Sequence, residues 1–287
     1  MKKIADILKT MRPKQWIKNT FVLAALIFSK SFMDTRAVIL SFTAFILFCL
    51  ASGAVYIIND IIDRDKDKLH PRKCKRPIAS GRLKVGEALS VAVVLLVLVI
   101  ALGVYLSPSF AMVLVAYIVT VMLYSFVLKH QPILDIMAIA AGFLLRVLSG
   151  AVIIGVEASS WLLLCTTALC LFLAANKRKS ELDIMKDGAK EYKATLGVYT
   201  SAFLQQVITI CLALCIVLYS LYAYFTDIPY MMATVLFVIY GLFRYQLLVL
   251  SGQPGDNIEV TVLKDKPLLT DLILWGLSCL VIVWKFY

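Results

Sequence analysis

Between Asn59 and Lys84 the chain concentrates its charge. Four aspartates (Asp60, Asp63, Asp65 and Asp67) are followed at once by Arg72, Lys73, Lys75 and Arg76. On a helix, Asn59, Asp63 and Asp67 stand at i, i+4 and i+8 and share one face, with Asp60 at its border. Carboxylates this close repel one another unless a cation sits among them. Hard oxygen donors suit Mg²⁺, which keeps several waters and commonly binds substrate phosphates beside one or two carboxylates. Asn59, Asp60, Asp63 and Asp67 are the expected metal-facing set. Lys73 and Arg76 are the expected partners for the rest of a phosphorylated ligand. A solvated loop explains the basic run about as well, but it explains the regularly spaced acids poorly.

Two further stretches carry polar groups. After Tyr124 come Lys129, His130 and Asp135; Lys129 reads either as a site residue or as an interfacial anchor. After Asn176 come Lys177, Arg178 and Glu181, and Asp183, Asp187 and Glu191 repeat the i, i+4, i+8 spacing of the first stretch. The two copies point to an internal duplication. The stretch 250–267 shows no chemical pattern, and its Gly252-Gln253-Pro254-Gly255 run reads as a turn. Arg146 is set in an apolar segment, where a charge costs at least a few kcal/mol. It should face a polar cavity or pair with a carboxylate, and a purely structural pair serves as well as a binding role. The seven cysteines include no CxxC pair and sit mostly in apolar runs, so packing is their expected role.

The elements that must position these residues are membrane spans. The chain is 61% hydrophobic and only 16% charged, with a mean hydropathy of +0.89. That excludes an ordinary soluble domain. Residues 1–18 place Ile4, Ile7, Leu8 and Met11 on one face among lysines, as in an interfacial helix. Lys14 and Lys18 then stand at the interface, and Trp16 reads as an interfacial anchor. Nothing in this region resembles a cleaved signal. Apolar segments follow at about 19–33, 37–58, 86–106, 109–128, 132–154, 160–176, 200–224, 230–249 and 268–286, which makes nine spans in one polytopic domain over 1–287. The net charge of +11 belongs to inter-span loops rather than to a nucleic-acid surface. With the N-terminus in the cytoplasm and the C-terminus outside, nearly all of the 29 Lys and Arg fall on the cytoplasmic side, in 1–18 and in loops at about 59–85, 129–131, 177–199 and 250–267.

The Asn59-Asp60-x-x-Asp63-x-x-x-Asp67 motif after the second span, followed by Arg-Pro-Ile-Ala-Ser-Gly at 76–81, resembles the UbiA-type intramembrane prenyltransferase superfamily over essentially the whole chain. Finer features are similar to its phosphoribosyl-transferring branch. These are Arg12 to Asn19, Tyr124 to Pro132 with Asp135, Gly142 to Arg146, Lys177-Arg178 with Glu181-Leu182, Tyr199-Thr200, and Lys264 to Leu268. The resemblance implies an all-α integral membrane fold, with nine transmembrane helices around a central cytoplasm-facing cavity, in a bacterial plasma membrane. It implies Mg²⁺-dependent transfer of 5-phosphoribosyl from phosphoribosyl diphosphate to a decaprenyl-type polyprenyl phosphate, feeding cell-wall polysaccharide precursors. Asp60, Asp63, Asp67, Lys129 and Glu181 would be catalytic. Lys14, Lys18, Asn59, Lys73, Arg76, Tyr124, Arg146, Lys177 and Arg178 would bind substrate. A clear second aspartate motif is missing, so the third-loop metal ligands stay open between Glu181 and the Asp183-Asp187 pair. Homo-oligomer formation also stays open. The alternatives are prenyl transfer to an aromatic acceptor and, less compatible with carboxylates at one face, a transporter.

Overall fold

The computed structural model describes residues 2–69, 73–185, 194–226, 228–251 and 258–286. Arg72, Asp187, Glu191 and the turn expected at 252–255 lie outside these. All regular structure among the described residues is helical. The chain divides into two compact units, one comprising 1–125 with 145–157 and the other 126–144 with 158–287.

In the first unit, α1 (Lys2–Thr10) covers the start of the segment expected to be an interfacial helix, and it ends eight residues earlier than the amphipathic pattern predicts. Pro13 is the reason. A residue before proline is steered away from the helical region, and Arg12 adopts the left-handed conformation instead (φ 53, ψ 64). A 3₁₀ segment (Pro13–Leu23), the short α2 (Ala24–Phe28) and a 3₁₀ turn (Ser31–Met33) follow. These lead to α3 (Thr35–Ile62), whose first turn is capped by Asp34 accepting from the Arg36 amide at 2.9 Å. Residues 13–33 run antiparallel to α3. Arg12 meets Asp60 near its end, Asn19 meets Ser52 and Cys49, and the chain turns back at Asp34. An eleven-residue 3₁₀ segment is unusually long. Close packing shapes this region: a Cβ at Gly150 would overlap the Val22 carbonyl oxygen. Gly150→Ala should cost about 1–3 kcal/mol through overpacking, read as a lowered unfolding midpoint in detergent.

The unit continues with α4 (Arg64–Leu69), α5 (Val85–Leu106) and α6 (Pro108–Phe126). Ser107 is extended before Pro108, and its hydroxyl accepts from the Phe110 amide at 3.4 Å, which closes one helix and opens the next. Phe48, Phe110, Leu114 and Tyr117 are buried against Val22 and Val55. Helix α7 (Leu134–Ile154) belongs to both units.

The second unit holds α8 (Ser160–Met185), α9 (Ser201–Phe225), α10 (Val235–Leu250), α11 (Ile258–Lys264) and α12 (Lys266–Phe286). Its core is Phe172, Ala175, Leu196, Leu204, Ile208 and Tyr245. Helix α8 runs nine residues past the expected span end, so Lys177, Arg178 and Glu181 are helical rather than in a loop. No proline or glycine interrupts that stretch, and side-chain pairs one turn apart support it, including Lys179 to Asp183 at 2.9 Å.

Eight helices among the described residues are long and apolar enough to cross a membrane. The remaining segment of the nine expected, 19–33, is the broken 3₁₀ and α2 run and has no single helix of that length.

Candidate active site

Helix α3 has 28 residues, about 42 Å at 1.5 Å per residue, against a hydrocarbon layer of about 30 Å. Its last two turns overrun what a bilayer needs, and they carry Asn59 and Asp60. The helix closes at Asp63, whose amide donates to the Asn59 carbonyl at 2.9 Å. The Asp67 amide donates to the Asp63 carbonyl at 2.8 Å, so helical spacing persists into α4.

The side chains sort themselves differently from the simple i, i+4, i+8 row. Asp60 (2% exposed) and Asp67 (3% exposed) are the buried carboxylates, while Asn59 and Asp63 are half-buried. One guanidinium nitrogen of Arg76, Nη1, donates to Asp60 Oδ1 at 3.1 Å and to Asp67 Oδ2 at 2.6 Å. Arg12 donates to the same oxygen of Asp60 and lies 4.8 Å over the Tyr56 ring. The left-handed turn at Arg12 is what aims it there. Arg76 is held by its own loop: Ile78 and Leu83, both 1% exposed, pack with Met11, Ile57 and Ala88. Gly81 supplies the positive φ of 77 that lets the Leu83 amide reach the Pro77 carbonyl at 3.0 Å. Asp65 is exposed and, among the described residues, pairs with Lys68 at 2.8 Å. That hydrogen bond holds its carboxyl below the usual range.

These oxygens fit a hard cation. Two buried carboxylates converge on one positively charged nitrogen, so the point between them already favours positive charge, and every donor is oxygen. Among the described residues, no three His, Cys, Asp or Glu side chains are yet gathered closely enough to enclose an ion.

A second polar cluster in this unit surrounds Arg146 (7% exposed). Its Nε donates to Asn19 Oδ1 at 2.8 Å, its Nη2 donates to the Tyr117 hydroxyl at 2.8 Å, and its guanidinium lies 4.6 Å over the Tyr117 ring. Asn19 in turn donates to Ser52 Oγ at 3.2 Å. The charge that stands out in the sequence is thus met by an amide, a phenol and a π face. Asn19 closes the Arg12 to Asn19 stretch, whereas Tyr117 carried no local signal and is marked only by its pairing with Arg146.

In the second unit, Arg178 (2% exposed) donates from Nε to Asp135 Oδ2 at 2.6 Å and from Nη1 to Glu181. Asp135 also accepts from the Tyr199 hydroxyl at 2.6 Å, and that hydroxyl accepts from the Ile133 amide at 2.6 Å. Burial and the bond to Asp135 push the Tyr199 phenol up, so it stays protonated and acts as a donor to the carboxylate. Ile133 has φ 68, rare for a β-branched residue, and its amide is held by Tyr199. Asp135 and Tyr199 belong to this cluster although the residue pattern alone did not assign them a role. Lys129, in a 3₁₀ turn (Leu128–His130), and Lys177 and Tyr124 are half-buried. Of the remaining candidates, Lys73 is half-buried, Lys14 is exposed, and Lys18 donates to Gln15 at 2.6 Å.

Long apolar helices with a buried carboxylate pair at the end of one of them define a polytopic membrane protein with a polar site at a helix terminus. The model of the UbiA prenyltransferase family matches residues 20–262, and the chain belongs to that family. It is 33% identical to decaprenyl-phosphate phosphoribosyltransferase of Mycolicibacterium smegmatis, over 95% of this chain and 90% of that protein. It is 35% identical to the protein of the same name from Corynebacterium glutamicum, over 98% and 87%. Among solved structures, a UbiA homolog from Archaeoglobus fulgidus bound to GPP and Mg²⁺ shares the fold at a TM-score of 0.72 and 16% identity, covering 97% of this chain and 99% of that one.

Proposed function

We propose that this chain is a polyprenyl-phosphate phosphoribosyltransferase, moving 5-phosphoribosyl from phosphoribosyl diphosphate to a decaprenyl-type phosphate. The observation that carries this reading is near full-length similarity, at 33% and 35% identity, to proteins named for that reaction. In the reaction, the bond from C1 of ribose to the diphosphate breaks and its electron pair leaves with the diphosphate. A bond from an acceptor phosphate oxygen to C1 forms. The acceptor is already an anion, so no strong general base is needed.

Asp60, Asp63 and Asp67, beside Asn59, would hold Mg²⁺, which when bound would supply neutralisation of the charge that grows on the leaving diphosphate. Arg12 and Arg76, already turned toward Asp60, present N–H groups to phosphate oxygens on the same side. Lys73 and Tyr124 of the first unit, and Lys129 and Lys177 of the second, are each assigned a phosphate-binding role, and Lys14 and Lys18 serve the acceptor at the interface. Arg146 and Arg178, buried in hydrogen-bonded clusters, position their surroundings, and Glu181 holds Arg178. The Lys- and Arg-rich segments lie on the cytoplasmic side of a bacterial plasma membrane, with the N-terminus inside and the C-terminus outside, and the product serves cell-wall polysaccharide synthesis.

Membranes carrying the chain, supplied with labelled phosphoribosyl diphosphate, polyprenyl phosphate and Mg²⁺, should yield a labelled lipid and free diphosphate. Label staying in the aqueous phase, with turnover instead of prenyl diphosphate and an aromatic acid, would reverse the assignment.

A further inference from the structure

Arg12 keeps a left-handed backbone conformation (φ 53, ψ 64). That region is strained for a long side chain and persists only where the surroundings over-determine it. Three contacts do so here. Trp16 Nε1 donates to the Met11 carbonyl at 3.2 Å. This carbonyl lies just past the end of α1, where a terminal acceptor finds no partner within the helix. The Gln15 amide donates to the Arg12 carbonyl at 2.8 Å and closes the turn. Met11 itself is 4% exposed and rests in a notch on α3. A Cβ on Gly53 would stand 2.7 Å from Met11 Cε, 3.1 Å from its Cβ and 3.2 Å from its Cγ, so the whole side chain would have to move.

The notch and the site lie on one face of α3. Gly53, Tyr56 and Asp60 stand at i, i+3 and i+7. Met11 rests on the first, while Arg12 lies over the ring of the second and donates to the third. Trp16 also packs against the cluster of Met11, Ile57, Ile78 and Leu83, and the last two hold the loop of Arg76. One seat therefore supports both guanidinium groups that meet on Asp60.

A tryptophan beside a membrane is ordinarily an anchor whose N–H meets headgroups or water. The N–H of Trp16 is committed to the main chain next to Arg12 instead. We infer that Trp16, with Met11 in the Gly53 notch, is a positioning residue that holds the left-handed turn and so keeps Arg12 on Asp60. Its effect on rate rests on the phosphoribosyl-transfer reading; the seat itself rests on the geometry alone and is measured separately.

The full chain in detergent is treated with phenylglyoxal, and modification of Arg12 is followed at peptide level by mass spectrometry, with the exposed Arg36 as reference. The Arg12 side chain is 31% exposed while it is held on Asp60. Trp16→Phe keeps an aromatic ring and deletes the donor, and it should speed Arg12 modification about fivefold, the weight of one hydrogen bond, with Arg36 unchanged. Gly53→Ala should speed it too, although alanine for glycine inside a helix ordinarily stabilises, and it keeps the test decisive if the tryptophan variant fails to fold. In the transfer assay Trp16→Phe should lower kcat/KM for phosphoribosyl diphosphate about fivefold. It should leave the KM for polyprenyl phosphate unchanged, which loss of a membrane anchor would not. Added to Arg12→Ala it should cost less than about twofold more, because no guanidinium is left to position. An Arg12 modified at the wild-type rate in Trp16→Phe, or a loss that persists in full beside Arg12→Ala, overturns the seat. If the wild-type chain transfers no phosphoribosyl group, the functional reading fails, and the modification rates still decide the seat.

Discussion

Asp60→Asn and Asp67→Asn each lower the transfer rate about 10²- to 10³-fold, while Asp65→Asn leaves it within about twofold. The first figure is the usual cost of removing one charged or preorganised group from the place where transition-state charge develops. Both acids are almost fully buried and share the Arg76 nitrogen, so an amide of the same shape removes charge where water cannot replace it. Asp65 is exposed and, among the described residues, pairs with Lys68. The contrast separates site chemistry from the summed acidity of the stretch. Initial rates at saturating Mg²⁺, with unfolding midpoints as a folding control, decide it. A rate for Asp65→Asn as low as that for Asp60→Asn would mean that bulk charge is what matters.

Asp135→Asn should cost about 3–5 kcal/mol of stability, the penalty for leaving a buried charge without its partner. Asp135 is fully buried and Arg178 nearly so, at 2.6 Å. Glu181 is more exposed, with a side-chain accessibility of 15%, and its pair lies one helical turn apart, so Glu181→Gln should cost about 1 kcal/mol or less. Denaturant or thermal unfolding in detergent measures both. Similar costs for the two variants would show that Arg178 leans on Glu181 as much as on Asp135. Tyr199→Phe removes one donor to Asp135 and frees the strained Ile133 amide, so it should fall between them.

The membrane class, the helical fold and the acid-rich end of α3 are visible in the sequence because each rests on local pattern: hydropathy over some twenty residues, or carboxylates at helical spacing. Arg146 is visible because a charge in an apolar run contradicts its surroundings. The partners are not. Arg12 meets Asp60 across 48 positions, and Arg178 meets Asp135 across 43. Neither distance leaves a periodic trace, since long-range pairing is decided by packing. Pro13 did carry the signal that α1 must stop, but the amphipathic pattern of lysines running past it suggested a longer helix. The extension of α8 was concealed by polarity: a charged stretch reads as a loop even where it contains no helix breaker. The 3₁₀ path of 13–23 has no sequence counterpart of comparable clarity, because its apolar content is that of an ordinary span.

Helix α3 is longer than the layer it crosses. Residues 37–58 contain no charged side chain, and these are what the insertion machinery weighs when it admits a helix to the bilayer. Asn59, Asp60 and Asp63 come after that decision has been made. Biogenesis and chemistry are therefore written in consecutive stretches of one rod. Substitutions in the acid end should reach the membrane at wild-type abundance however inactive they are, so catalytic loss can be measured on a population of properly inserted protein.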